Sequence, residues 1–360
     1  MSILPLPTLP LPALRGRGVS WNPPNRFERL HVEREGWTDP DDPSPETVLL
    51  RDATRSILSF NDSPDVGMDV GINPYRGCAH GCAYCFARPT HEYLGFSAGL
   101  DFETRILAKE DAPELLRKAL SARSWVPRPI MLSGNTDAYQ PAERRLRITR
   151  RCLEVLAEVR NPVGITTKSY LVTRDVDLLQ ELAAHQAVAV SLSVTTLRPE
   201  LSRVLEPRAA TPARRLGAIR VLADAGIPVG VNVAPLIPGL TDHELPGILE
   251  AAADAGATFA GMIVLRLPHG VKELFTTWLE QHAPDRKEKV LNRIREMRGG
   301  ELYRSDFATR GRGQGPWAEH LWSFFQVARE RHGLDRPPAL SAGAFKKPGR
   351  VTPGQMELFG

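Results

Sequence analysis

Residues 73–89 constrain this chain more than any other stretch. Three cysteines, Cys78, Cys82 and Cys85, fall there within eight residues at the spacing Cys-x3-Cys-x2-Cys. Thiolates are soft ligands, and several on one loop select zinc or an iron–sulfur cluster over magnesium or calcium. A closed zinc site takes four protein ligands, usually as two separated pairs. No second pair exists here: the remaining cysteine, Cys152, lies 67 residues beyond Cys85 in a stretch that reads as a helix. Three thiolates on a cubane would leave one iron free to bind a small molecule, an arrangement suited to chemistry. The zinc alternative would need His80 or His91 as fourth ligand. Gly77 and Gly81 favour a tight wrap around a cluster.

Along the chain, the pattern divides the sequence into four parts. Residues 1–68 read as a proline-rich arm, with a linker at Asp39-Pro40-Asp41-Asp42-Pro43-Ser44-Pro45. Within it, Arg15-Gly16-Arg17-Gly18 and the run from Trp21 to Phe27 are too particular for a plain tether, and are expected to pack over the core. The alternative is a mobile arm that recognises a partner. Residues 69–282 alternate strand and helix. Strands are expected over 129–132, 163–167, 187–194, 228–234 and 259–265, and helices over 112–120, 146–159, 176–184, 212–225, 242–255 and 271–281. Gly226 and Gly256 stand where helix C-caps are expected. Alternating βα units imply a parallel sheet, and continuous apolar strands imply burial on both faces. Pattern alone does not separate a doubly wound sheet from an open barrel. Residues 283–332 read as two helices around a glycine–arginine loop, and 333–360 as a flexible tail.

The cysteine pattern, with Tyr84 directly before the third cysteine, resembles the signature of the radical S-adenosylmethionine (SAM) superfamily. The wider run Asn73-Pro74-Tyr75-x-Gly77-Cys78-x-His80-Gly81-Cys82-x-Tyr84-Cys85-x-Ala87-Arg88 resembles its spore-photoproduct-lyase-like branch. The stretches His91-Glu92-Tyr93-Leu94-Gly95 and Asp101-Phe102-Glu103-Thr104 resemble an uncharacterised bacterial subgroup of that branch. The resemblance implies a partial (βα)6 TIM-type barrel whose site lies at the carboxyl ends of the strands. It implies a [4Fe–4S] cluster on Cys78, Cys82 and Cys85, with the fourth iron chelating the amino and carboxylate groups of SAM. An electron then cleaves SAM to a 5′-deoxyadenosyl radical that takes hydrogen from substrate. An external donor, flavodoxin- or ferredoxin-like, is implied as well.

The same resemblance assigns SAM-binding positions. Thr136 and Asp137 match a Ser-Asp pair of the related lyases, Lys168 matches a cation that pairs with the SAM carboxylate, and Tyr84 flanks the cluster. Ser191 and Ser193 alternate with apolar neighbours, so both point to one face of a strand. The bland alternatives are a helix cap for Asp137, a lysine at the barrel rim, and serines satisfied by backbone. Glu206 and Arg208 either form a local ion pair at the barrel mouth or touch substrate. Two departures stand out. The lyases carry a cysteine just before the Ser-Asp pair, where this chain has Ser133-Gly134-Asn135, and a tyrosine after the third cluster cysteine, where it has Phe86.

The net charge of +4 is mild, and basic segments at 144–151 and 346–347 read as solvated faces or as phosphate contacts. Nucleic acid is the leading substrate class, with peptides and small metabolites as alternatives. Two further readings are a metal-stabilised nucleic-acid-binding module without catalysis and an iron–sulfur redox sensor. Four cysteines, three of them clustered, make no disulfide framework and fit a reducing compartment. No apolar run approaches the roughly 20 residues of a membrane span, and the proline-broken start is not a secretory signal. The expected location is the cytoplasm, with no membrane partner.

Overall fold

The computed structural model describes residues 12–28, 45–65 and 67–348. Its first strands are β1 (Val48–Arg51) and β2 (Leu58–Phe60). β3 (Val70–Ile72) leads into the cysteine loop, followed by β4 (Tyr75–Arg76), helix α1 (Leu100–Thr104), β5 (Arg105–Ala108) and α2 (Ala112–Ser121). Alternation then sets in with β6 (Ile130–Leu132), the one-turn α3 (Glu143–Leu146) and α4 (Ile148–Val159). β7 (Val163–Thr167) precedes α5 (Val176–Ala183), and β8 (Val188–Ser193) precedes α6 (Pro199–Leu205) and α7 (Pro212–Asp224). β9 (Val229–Leu236) and α8 (Leu245–Asp254), then β10 (Phe259–Val264) and α9 (Val271–His282), complete the series. Helices α10 (Lys287–Glu296) and α11 (Pro316–Arg331) follow.

Local chemistry explains several of these boundaries. Helices α6, α7 and α11 open on Pro199, Pro212 and Pro316, where the fixed φ suits a first turn and the missing N–H costs nothing. Gly226 and Gly256, at φ of 74° and 98°, end α7 and α8 in the left-handed conformation expected there. The strands share a division of labour. Val188, Val190 and Leu192 of β8, and Val229, Val231 and Val233 of β9, are at most 1% exposed under the outer helices. The alternate residues of β8, among them Ser191 and Ser193, face the other way.

The seven-stranded sheet runs in the order β10-β9-β8-β7-β6-β3-β2. Six strands, β3 and β6 to β10, are parallel and neighbour one another in chain order, as a partial (βα)6 barrel requires. β2 pairs antiparallel with β3 on its free edge. A second, small sheet joins β1, β5 and β4 beside the cysteine loop. The barrel is the fold that the cysteine signature implied. Among the described residues no helix is long and apolar enough to cross a membrane.

Three features differ from the sequence reading. The arm holds two strands, β1 and β2, each too short to show a period; β1 is stabilised by the distant β5 and β2 by pairing with β3. The stretch from Phe102 to Leu107, which reads in the sequence as one short segment before the helix at 112, divides into a helical turn, α1, and strand β5. The tail read as flexible over 333–360 is docked through its described part: Leu334 is fully buried, Asp335 bridges to Phe259, and the amide of Lys346 donates to the carbonyl of Val159 at 2.9 Å. Residues 349–360 lie outside the described residues.

Candidate active site

The loop that leaves β3 at the carboxyl end of the sheet carries Cys78, Cys82 and Cys85, all free thiols. Cys78 and Cys82 are 7% and 9% exposed, and Cys85 is partly open. Burial raises the pKa of all three thiols, that of Cys82 to about 12. Coordination to a metal reverses this by removing the proton outright. Gly77 and Gly81 both adopt positive φ, 76° and 67°, so the chain turns twice around the thiols. A Cβ on Gly81 would lie 2.6 Å from Glu103 Oε2, and one on Gly77 would lie 3.0 Å from two backbone carbonyl oxygens. The loop is therefore tightly covered on its outer side, by backbone at Gly77 and by the Glu103 side chain at Gly81.

This donor set fits a cluster better than zinc. Four tetrahedral thiolates on zinc stand about 3.8 Å apart, given a Zn–S bond of ~2.3 Å. Among the described residues no fourth His, Cys, Asp or Glu side chain joins the three thiols in a closed four-ligand zinc site. Neither candidate histidine is placed as a fourth zinc ligand. His80 Nδ1 faces Asp137 Oδ2 at 3.4 Å, and His91 sits fully buried with Nε2 3.0 Å from the Arg105 carbonyl, between Phe96 and Phe102.

Two fully buried ion pairs brace the loop. Arg88 donates from Nε and Nη2 to the Cys82 carbonyl at 3.0 and 2.8 Å, from Nη1 to Gly99, and from Nη2 to Glu103 at 2.5 Å. On the other side Glu206 binds Arg215, and it accepts from the hydroxyls of Tyr84 and Thr195. Backbone ties follow the same line: the Ala83 amide donates to Leu205 and the Arg208 amide to His80. Gln140 clamps a third point, accepting from the Ala79 amide at 2.9 Å and donating to the Gly77 carbonyl at 3.1 Å.

The arm also reaches this loop. Gly18 donates its amide to Glu103 Oε2 at 3.1 Å, and buried Arg17 reaches the carbonyls of Glu103 and Pro45. Asn22 exchanges hydrogen bonds with Asp101, and Asn25 donates to the carbonyls of Glu92 and Phe96.

The expected SAM-binding residues come together only in part. Asp137 is buried and heavily committed: Oδ1 accepts from Thr167 Oγ1 at 2.7 Å and from the Tyr139 amide at 2.9 Å, and Oδ2 accepts from the Lys168 amide at 2.8 Å. Burial pushes its carboxyl upward, but the neighbouring His80 and these hydrogen bonds outweigh it and hold the pKa at about 2. Thr136 is buried, and its hydroxyl donates to the Tyr75 carbonyl at 2.8 Å. The Tyr84 hydroxyl is occupied by Glu206 and Thr195. Lys168 Nζ lies 5.8 Å from the centroid of the Tyr84 ring and donates to the Ala234 carbonyl at 3.2 Å. Ser191 and Ser193 lie on the barrel face of β8.

Four contributors were given no role in the sequence reading: Arg88, Glu103, Gln140 and Arg215. Arg88 and Glu103 stood inside quoted motifs, yet nothing local marked them as partners. Glu206 and Arg208 separate: Glu206 is buried with Arg215, while Arg208 turns outward to Thr47. Cys152 is fully buried on the outer helix α4, away from the mouth.

An open six-stranded parallel barrel, with three thiols on the loop after its first strand, defines a class of cluster-bearing proteins. The radical SAM superfamily profile matches residues 72–252, half of the chain, and the chain belongs to that superfamily. Members of the family use a [4Fe–4S] cluster and SAM. An uncharacterised Mycobacterium tuberculosis protein is 39% identical over 228 residues, 63% of this chain and 66% of that protein, so the match spans just under two thirds of the relative. An uncharacterised Methanocaldococcus jannaschii protein is 28% identical over 65% of this chain and 84% of its own length. Spore photoproduct lyase complexed with dinucleoside spore photoproduct shares the fold, with a TM-score of 0.57, 16% identity and 79% of each chain covered.

Proposed function

We propose that this chain is a radical SAM enzyme that reductively cleaves SAM and uses the resulting 5′-deoxyadenosyl radical to abstract hydrogen from a substrate, nucleic acid being the leading class. The observation that carries this reading is the loop of three free thiols at the carboxyl end of the first barrel strand, braced on both sides by buried ion pairs. When bound, the cluster supplies the electron that breaks the sulfonium; the chain's residues bind and orient. Cys78, Cys82 and Cys85 hold it. Lys168 pairs its ammonium with the SAM carboxylate, and Ser191 and Ser193 offer hydroxyls from the barrel face. Thr136 and Tyr84 shape the pocket with their hydroxyls tied back. Asp137 fixes the geometry by joining His80 of the cysteine loop to Lys168 of the strand-end loop. An external one-electron donor, flavodoxin- or ferredoxin-like, completes the system.

The hydrogen taken from substrate is not returned by a protein thiol in this reading. Of the four cysteines three serve the cluster, and Cys152 lies buried outside the barrel. SAM is then either regenerated or consumed. The test is anaerobic reconstitution with iron and sulfide, followed by measurement of 5′-deoxyadenosine from SAM under a strong reductant. A colourless protein that takes up zinc in place of iron would refute the proposal.

A further inference from the structure

The barrel is open between its edge strands β10 and β2, and the lip of that opening carries an unusual charge arrangement. Arg266 lies two residues beyond the end of β10. Its guanidinium lies 4.8 Å from the centroid of Phe86, the residue after Cys85. Phe86 is 41% exposed, and Ile263, on the barrel face of β10, is 45% exposed, so this part of the mouth meets solvent. Arg266 makes no hydrogen bond or ion pair among the described residues, although its Nε is shielded from water and lacks an acceptor.

The surroundings add positive charge. Among the described residues Arg298, 2% exposed, donates only to the carbonyls of Leu265, Thr309 and Arg310, and its own Nε has no acceptor. Burial, and then the nearby Arg266, lower the Arg298 pKa to about 10, so the two cations already oppose each other. The carboxylate nearby is Asp65; Arg310 takes both of its oxygens at 2.5 Å, and Arg266 acts on it only through space, without a hydrogen bond. Buried or half-buried charge ordinarily carries a partner, because desolvation otherwise destabilises it. A planar guanidinium stacked on an aromatic ring still presents its edge donors to a carboxylate or phosphate.

We propose that Arg266, stacked on Phe86, anchors an oxyanion of the substrate, a phosphate or a carboxylate, at the open side of the barrel mouth. This rests on the reading of the strand ends as the reaction site. It places the charged end of the substrate beside the loop that holds the cluster and directs the remainder past Ile263 into the barrel. Arg266 is then a specificity-determining residue: neutral analogues of the substrate would bind weakly.

The experiment uses the full chain with Phe86→Trp as a fluorescent reporter, since tryptophan keeps the cation–π contact. Inorganic phosphate and acetate are titrated separately, with sodium chloride matching ionic strength. The expected result is a saturable fluorescence change with at least one anion beyond the chloride control. It should weaken at least tenfold in Phe86→Trp/Arg266→Gln and less in Phe86→Trp/Arg266→Lys, which keeps the charge but loses the fork. A phosphate response names a phosphate-bearing substrate, and an acetate response a carboxylate. Near-UV circular dichroism checks that each variant is folded. No response beyond chloride, or an undiminished response in a folded Gln variant, overturns the proposal. Because the titration needs neither cluster nor SAM, its failure is separate from failure of SAM cleavage by the reconstituted wild type.

Discussion

Gly18→Ala is the sharpest perturbation available at the junction of arm and cysteine loop. A Cβ built on Gly18 would lie 1.6 Å from the carbonyl oxygen of Gly81, 2.8 Å from its carbonyl carbon and 3.0 Å from the Ala83 amide nitrogen. All three atoms are backbone, so no side chain can swing aside. Restoring an ordinary contact requires the arm to lift by roughly 1.5–2 Å, given normal separations of about 3.5 Å. That displacement breaks the bond from the Gly18 amide to Glu103, a charge-assisted interaction worth about 1.5–3 kcal/mol. It also loosens Val19, 5% exposed and packed with Leu100 and Leu274. Partial loss of that burial adds about 1–2 kcal/mol. The expected cost is therefore about 2.5–5 kcal/mol, limited by the free energy at which the arm opens on its own. The assay is the rate of reaction of the cluster-free protein with a thiol reagent under native conditions. Cys78, Cys82 and Cys85 should react much faster in Gly18→Ala than in the wild type, while fully buried Cys152 stays protected as an internal control. Identical labelling rates and an unchanged thermal midpoint would show that the arm does not close this loop.

Three further outcomes are expected. Alanine at Cys78, Cys82 or Cys85 should abolish iron uptake and SAM cleavage, whereas Cys152→Ala should keep both and lose only about 1 kcal/mol of stability; iron analysis of the four variants decides it. Lys168→Ala should weaken SAM binding by about 1.5–3 kcal/mol without removing the cluster, measured by equilibrium binding to reconstituted protein; unchanged affinity would assign Lys168 to the rim. Hydrogen bonds from Arg310 hold the Asp65 carboxyl below its ordinary range, so the pair stabilises the protein above that range and the contribution is lost as pH falls through the lowered value. Asp65→Asn should accordingly lower the urea midpoint at pH 7, and the gap to wild type should close under strongly acid conditions; a gap independent of pH would refute the ion pair.

The alternation of strand and helix was legible because its signals are local, whereas the choice of a barrel over a doubly wound sheet came from the resemblance carried by the cysteine motif. β7 coincides with the apolar run Val163–Thr167, and the helices expected over 112–120 and 271–281 differ from α2 and α9 by a residue. The cysteine loop was legible because its spacing has a chemical cause. The bracing was not. Arg88 and Glu103 are fifteen residues apart, and Arg215 meets Glu206 across nine, neither a helical nor a strand spacing. Helix α6 has only seven residues and follows Leu197-Arg198, with too little length to show a period. The tail's docking depends on Leu334 and Phe345 meeting a surface built by distant segments, which composition does not encode.

The buried charges of the site follow one electrostatic rule. The Arg88–Glu103 and Arg215–Glu206 pairs flank the loop from opposite sides, each with both side chains at most 1% exposed. A buried pair adds little stability relative to well-packed apolar residues, while loss of one partner costs several kcal/mol. Their use is therefore positional. Arg88 gathers the carbonyls of Cys82, Ala98 and Gly99, and Arg215 gathers those of Ser193 and Ala210, points that no apolar side chain could hold together. Each pair is neutral as a unit, so it fixes the loop while adding little net field. Lys168 and Arg266 differ: neither forms an ion pair among the described residues, and both stand at strand ends. Arg298 is also without an ion pair among the described residues, but its Nη donors are taken up by the carbonyls of Leu265, Thr309 and Arg310, whereas Lys168 and Arg266 stand where the proposed chemistry brings an anion, the SAM carboxylate at Lys168 and the substrate oxyanion at Arg266.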